Sequence, residues 1–210
     1  MPITPPAPSP VTTVVFDYGE VISVPPPEEV RAKLERLSGA RPEEFWAAYW
    51  AERRAYDAGV PASEYWGRVA GRIGAEWDAA RRQEIWAADV GGWLYASAAS
   101  VAVLDRLAGH GARLALLSNA PSDIAGALRA SPLLEPFDAL FFSCDVGVCK
   151  PDAAIYTHVL EELGAAPAET AFIDDREENI LAAKELGIDA HHYAGTADME
   201  AFLTDRLGPF

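Results

Sequence analysis

Four short segments of this chain hold the residue types that polar chemistry needs. Val14-Val15-Phe16, a β-branched and aromatic run, ends in Asp17 and is followed at once by Tyr18 and Gly19. Leu116-Leu117 leads into Ser118-Asn119, a hydroxyl and an amide just beyond an apolar stretch. Cys149-Lys150-Pro151-Asp152 sets a lysine directly before an expected helix. Phe172-Ile173 ends in the paired carboxylates Asp174-Asp175, with Glu177, Glu178 and Asn179 following. Short apolar runs of this kind read as buried parallel strands, and ligands bind at the C-terminal edge of such a sheet. Sharing one edge, Asp17, Asp174 and Asp175 repel one another unless a cation joins them, and their hard oxygens suit Mg2+. Each segment alone has a plainer reading: a helix cap for Asp17 or Asp174-Asp175, a turn for Ser118-Asn119, a solvated loop for Lys150. Four together on one edge point to one site.

The elements that must position these residues alternate strand and helix. Strands are expected near 13–17, 113–117, 137–142, 170–173 and 188–192. Helices are expected near 98–108, 122–129, 152–163, 177–186 and 198–206. Pro151 at the start of one helix and Gly164 after its end fit the usual asymmetry of helix termini. This order predicts an α/β fold, a parallel sheet covered by helices with right-handed crossovers.

The alternation is interrupted once. Residues 24–95 contain no convincing strand and four helical patterns: one through Val30, Leu34 and Leu37, one opening at Arg41-Pro42-Glu43-Glu44, one N-capped by Ser63, and one from about Asp78 to Asp89. All six tryptophans lie in this stretch, from Trp46 to Trp93. Most are expected to fill the core of a small helical bundle. Trp93 and Tyr95, near the return to the sheet, are the better candidates for contacting a substrate. The expected division is an N-terminal arm over residues 1–10, an α/β core over 11–23 and 96–210, and a helical insertion over 24–95.

Composition narrows the function. With 210 residues, half of them hydrophobic, the chain can bury one sizeable core plus an inserted subdomain. A net charge of −15 argues against nucleic acid and an anionic membrane as partners. No apolar run is long enough to span a bilayer. Cys144 and Cys149 are the only cysteines, too few for a disulfide framework, and a reducing, cytoplasmic setting is expected. The arm, with five prolines between Pro2 and Pro10, does not read as a signal peptide.

The four segments, in this order and with a helical insertion between the first two, resemble the haloacid dehalogenase superfamily, most of whose members are Mg2+-dependent phosphatases. The likeness runs from about Thr13 to the C-terminus. It is nearest to the sugar-phosphatase-like branch, whose first motif reads F-D-x-G-x-V-I. The resemblance implies a Rossmann-like core with a small helical cap. It implies Asp17 as nucleophile, forming an aspartyl-phosphate. Ser118 and Asn119 would bind phosphoryl oxygens, with Lys150 paired to Asp17. Mg2+ would be held by Asp17, the Gly19 carbonyl, Asp175, and Asp174 either directly or through water. A small phosphorylated metabolite is the implied substrate, a sugar phosphate first, in a monomer or homodimer.

Gly19 departs from the family pattern, which usually has an aspartate there as acid and base. Leaving groups of low pKa depend less on that proton. Glu20 is adjacent but is expected to point elsewhere, in a structural or solvated role. The loss keeps two alternatives open: metal-independent 2-haloacid dehalogenation, against which Asp174-Asp175 speaks, and a binding or regulatory protein. The adjacent His191 and His192 cannot readily chelate one ion and are expected to be structural.

Overall fold

Buried β-branched and aromatic runs build a five-stranded sheet in the order β3-β2-β1-β4-β5, with every neighbouring pair parallel. The strands of this computed structural model, which describes residues 11–210, are β1 (Thr13–Phe16), β2 (Arg113–Ser118), β3 (Ala139–Phe142), β4 (Thr170–Asp174) and β5 (Asp189–His192). The arm expected at residues 1–10 lies outside the described residues. Phe16 pairs with Leu116 on one side and Ile173 on the other, so Asp17, Ser118 and Asp174 leave the sheet at nearly one level. The chain runs outward from β1 to β3 and then returns to the other flank of β1. That reversal opens a crevice at the strand ends, the usual ligand position in open α/β sheets.

Alternation along the strands decides the two covering layers. Val14, Phe16, Leu114, Leu116, Ala171 and Ile173 pack with α5 (Ala98–His110), α6 (Ser122–Arg129) and α10 (Thr196–Leu207). Val15, Ala115, Leu117 and Phe172 pack on the other face with α8 (Ala153–Leu163) and α9 (Glu177–Glu185). Asp152 caps α8 through the Ala154 N–H at 3.0 Å, and Gly164 ends it at φ 60°, a backbone that glycine adopts without strain.

Between β1 and α5 lie α1 (Glu28–Ser38), α2 (Pro42–Asp57), α3 (Ala62–Ile73) and α4 (Ala79–Gly92), which enclose a hydrophobic core of their own. Its centre is aromatic: Phe45, Tyr49, Tyr56, Tyr65, Trp66 and Trp77 are buried there, with Tyr56 stacked on Tyr65 at 4.1 Å. The two chain crossings to the sheet layer are zipped together. Val24 N–H donates to the Tyr95 carbonyl at 2.9 Å, and Ser97 N–H to the Ile22 carbonyl at 2.8 Å. The C-terminal end of α2 docks on the core: Tyr56 Oη donates to Asp123 Oδ2 at 2.5 Å, and Ser143 Oγ to the Asp57 carbonyl at 2.6 Å.

Several element boundaries differ from the sequence expectation. β3 starts at Ala139 rather than Phe137, because the Phe137 N–H closes a turn onto the Leu134 carbonyl at 3.1 Å. The Phe137 ring instead packs edge-on against Phe16. Ser63 does not cap α3; Pro61 occupies that position without a side-chain hydrogen bond, and Ser63 lies within the helix. A one-turn helix, α7 (Ser143–Val146), follows β3. No helix of the described residues is long and apolar enough to cross a membrane.

Candidate active site

Asp17, the first residue after β1, is almost fully buried and placed by its own strand. Its Oδ1 accepts the Tyr18 N–H at 2.7 Å and lies 2.9 Å from Lys150 Nζ. Oδ2 is turned toward Gly19, where a Cβ would sit 3.9 Å from it and meet nothing else. One carboxylate oxygen is thus held and the other left uncommitted.

Lys150 reaches the site from the loop before α8, and its ammonium is inaccessible to solvent. Nζ donates to the Leu117 carbonyl at 2.8 Å and to Asp174 Oδ2 at 2.7 Å, besides facing Asp17. All three ammonium protons therefore have acceptors. Burial alone would lower its pKa, but the carboxylates of Asp17 and Asp174 outweigh it and hold the ammonium above its ordinary value.

Asp174 is buried at the end of β4. Both its oxygens accept from Asn179 Nδ2, at 2.8 and 2.9 Å, and Oδ1 also takes the Arg176 N–H at 2.8 Å. Asp175 is half-buried and makes no comparable set of bonds. Ligand oxygens of Asp17, Asp174 and Asp175 all lie within 4.8 Å of one another. Burial first, then the Asp174 charge against the opposing Lys150, pushes the Asp17 carboxyl up from 3.8 to about 7. Burial and the Asp174 and Glu20 charges push Asp175 up to about 6. Three carboxylates face one ammonium, an excess of negative charge that a divalent cation offsets. All-oxygen donors at this spacing fit Mg2+. The Gly19 carbonyl accepts the Val21 N–H at 2.7 Å and keeps a second lone pair.

Ser118 is buried at the end of β2 and lines the same cavity. Asn119 also lines it, but its carboxamide is engaged elsewhere: Nδ2 donates to the Lys150 carbonyl at 3.0 Å and Oδ1 accepts the Lys150 N–H at 2.9 Å. That side chain latches the lysine loop to β2 while Asn119 still lines the cavity beside Ser118. Tyr95 is a correction. It sits on the chain crossing, half exposed, and is not among the cavity-lining residues. Trp93 does line the cavity, with its Nε1 donating to Tyr49 Oη at 3.2 Å.

The cavity has a volume of about 620 Å3, far more than one phosphate fills, and the helical insertion forms its far wall. That wall holds Trp50, Arg53, Arg54 and Asp57, which sequence reasoning did not single out. They sit at i, i+3, i+4 and i+7 of α2, one helical face, so the signal was present. It was masked by the apolar face of the same helix. Arg53 is buried, bonded to Asp57 Oδ1 at 2.7 Å and to Tyr49 Oη, and stacked over Trp93. Asn179 was likewise missed as the partner of Asp174. Glu20 lines the cavity from an exposed position at φ 54°, in the left-handed region that few residues other than glycine adopt. His191 stacks on Phe202 and bonds Asp198, and His192 Nε2 lies 2.8 Å from the Asp175 carbonyl; both are structural contacts.

Residues 11–187 match the family model of the haloacid dehalogenase-like hydrolases. Over 102 residues the chain is 34% identical to a sesquiterpene phosphatase of Aspergillus oryzae, covering 48% of this chain and 52% of that one. Over 76 residues it is 34% identical to D-ribitol-5-phosphate phosphatase of Bacteroides thetaiotaomicron, covering 36% and 37%. The matches thus span about half of these curated relatives or less. Among solved structures, a haloacid dehalogenase family enzyme of Bacteroides thetaiotaomicron superposes with a TM-score of 0.77 at 20% identity, over 93% of this chain and 99% of that one. Its complex with magnesium and inorganic phosphate gives 0.72 at 21%, over 88% and 96%. At such identities these likenesses speak for the fold.

Proposed function

The chain belongs to the haloacid dehalogenase-like hydrolases, and on that premise we propose that it is a Mg2+-dependent phosphatase of small phosphorylated metabolites, working through a phosphorylated Asp17. The observation that carries this reading is the convergence of Asp17, Asp174 and Asp175 around the buried ammonium of Lys150. Dehalogenation at carbon has no need of that carboxylate cluster.

In this reading the uncommitted Oδ2 of Asp17 attacks phosphorus while Oδ1 stays on Lys150 and the Tyr18 N–H. The bond to the leaving oxygen breaks, and that oxygen takes its proton from solvent because Gly19 offers none. Water then attacks the aspartyl-phosphate at phosphorus, releasing inorganic phosphate and restoring Asp17. Ser118 binds a phosphoryl oxygen. Mg2+, held by Asp17, Asp175 and the Gly19 carbonyl, would neutralise the charge that otherwise keeps a carboxylate from a phosphate. Asp174, hydrogen-bonded by Lys150, Arg176 and Asn179, orients Lys150 and would help to hold the ion, directly or through water.

The test is phosphate release from a panel of metabolite phosphates, with Mg2+ and with chelator. Release that needs Mg2+ supports the proposal. Turnover of 2-chloropropionate that chelator leaves untouched would overturn it, as would release of phosphate from no member of the panel.

A further inference from the structure

We infer that the substrates are aryl phosphate monoesters, with a flat, apolar and weakly basic leaving group, rather than the sugar or polyol phosphates the first motif suggests. This rests on the phosphatase reading above. Two independent features point the same way, one at each end of the cavity.

At the phosphoryl end Gly19 leaves the acid position without a side chain. The space a Cβ would occupy there meets only Asp17 Oδ2. An alkoxide departs poorly without a proton, whereas a phenolate departs as the anion. Arg54 supplies a cation for that anion. Its guanidinium makes one long side-chain contact, 3.4 Å to the Lys150 carbonyl, and no ion pair among the described residues, although it lines the cavity.

At the other end the wall is aromatic. Trp50 is 54% exposed, although Phe45, Tyr49 and Tyr56 of the same helix are buried. Leaving an indole in water forgoes burial free energy, so packing does not explain it. The ring is braced edge-on by Tyr49 at 4.8 Å and by Trp93 at 6.4 Å, making a rigid corner of two nearly perpendicular indoles. Such a corner accepts a planar guest by stacking on one ring and edge contact with the other. It offers a polyol few acceptors, because the one carboxylate on this wall, Asp57, has its Oδ1 on Arg53 Nε at 2.7 Å.

The experiment compares 1-naphthyl phosphate, ribitol 5-phosphate and acetyl phosphate, each with Mg2+. The last has a good leaving group and no ring. We expect kcat/KM for the naphthyl ester to exceed that for the ribitol ester by at least about tenfold. Trp50→Ala should raise KM for the naphthyl ester about tenfold more than KM for acetyl phosphate, and Trp50→Phe should restore most of the loss. If acetyl phosphate is hydrolysed but the ribitol ester matches the naphthyl ester, or if Trp50→Ala weakens all three alike, the aryl assignment falls and the phosphatase reading stands. If Mg2+ elicits release from none of them, both fall together.

Discussion

The two walls of the cavity are built on opposite principles. On the strand-end wall the two most buried charged groups are held: Lys150 has three acceptors, and Asp174 has three donor groups. On the α2 wall Arg53 and Asp57 are paired with each other, but Trp50 stands half exposed and Arg54 has one weak contact. Groups already saturated with protein partners are preorganised, and preorganised charge serves the phosphoryl centre, which is common to every substrate. Groups left without partners are free to meet whatever part of the substrate varies. On the proposed reading, the contrast assigns the phosphoryl chemistry to the strand-end wall and the fit of the leaving group to the α2 wall.

The sharpest way to break that division is at Asp17. Asp17→Asn keeps the side-chain shape and removes the nucleophile, so phosphate release should fall by about 10^4-fold or more while the circular dichroism spectrum is unchanged. Selectivity moving with this variant, instead of rate alone, would show the walls are not separate.

Installing what the strand-end wall lacks sharpens the contrast from the other side. Gly19 has room for a side chain beside Asp17 Oδ2. Gly19→Asp should speed hydrolysis of alkyl phosphates by about 10^2-fold and that of aryl phosphates far less, narrowing the ratio between them. Equal gains on both classes would show that leaving-group protonation is not what Gly19 withholds.

The strand-end wall should also reveal itself in stability. Without metal, the folded state holds protons on Asp17 and Asp175 that the unfolded chain releases near 3.8, since their carboxyls are pushed up to about 7 and about 6. Their contribution is full below about pH 4 and is lost as pH rises toward 7. In chelator, Tm should therefore fall between pH 5 and pH 7.5, and Mg2+ should reverse the fall by binding the folded form. Asp17→Asn should flatten the slope; an unchanged slope would remove Asp17 as its source. The smallest effect is expected at Tyr95, which lies outside the cavity: Tyr95→Ala should change kcat/KM less than twofold and stability by about 0.5 kcal/mol or less.

Much of the strand-end wall was readable before any coordinates. Asp17, Ser118, Asp174 and Asp175 each follow a short apolar run, and a residue at the end of a parallel strand has no other edge to go to. The stop of α8 at Gly164 was equally legible, because termination signals are local, whereas its start is capped by Asp152 rather than opened by Pro151. The latch from Asn119 to Lys150 was not legible, since an amide suits both a phosphate and a backbone, and the two residues are 31 apart in the chain. Tyr95 was misjudged, and Trp50 was not singled out, for a related reason. Proximity along the chain to the insertion's return suggested Tyr95, whereas the face of α2 that meets the site depends on how that helix docks.

By itself, the amino-acid sequence determined the alternating elements, the acids at the strand ends, the lysine before α8, and the aromatic filling of the inserted helices. Periodicity and termination signals act over a few residues, so they survive without tertiary context. The tertiary structure alone decided that β1 lies between β2 and β4, which carboxylate oxygen stays free, and which face of α2 looks into the cavity. Those outcomes rest on contacts such as Tyr56 with Asp123 and Ser143 with Asp57, 67 and 86 residues apart, and no local pattern encodes which partners meet at such range.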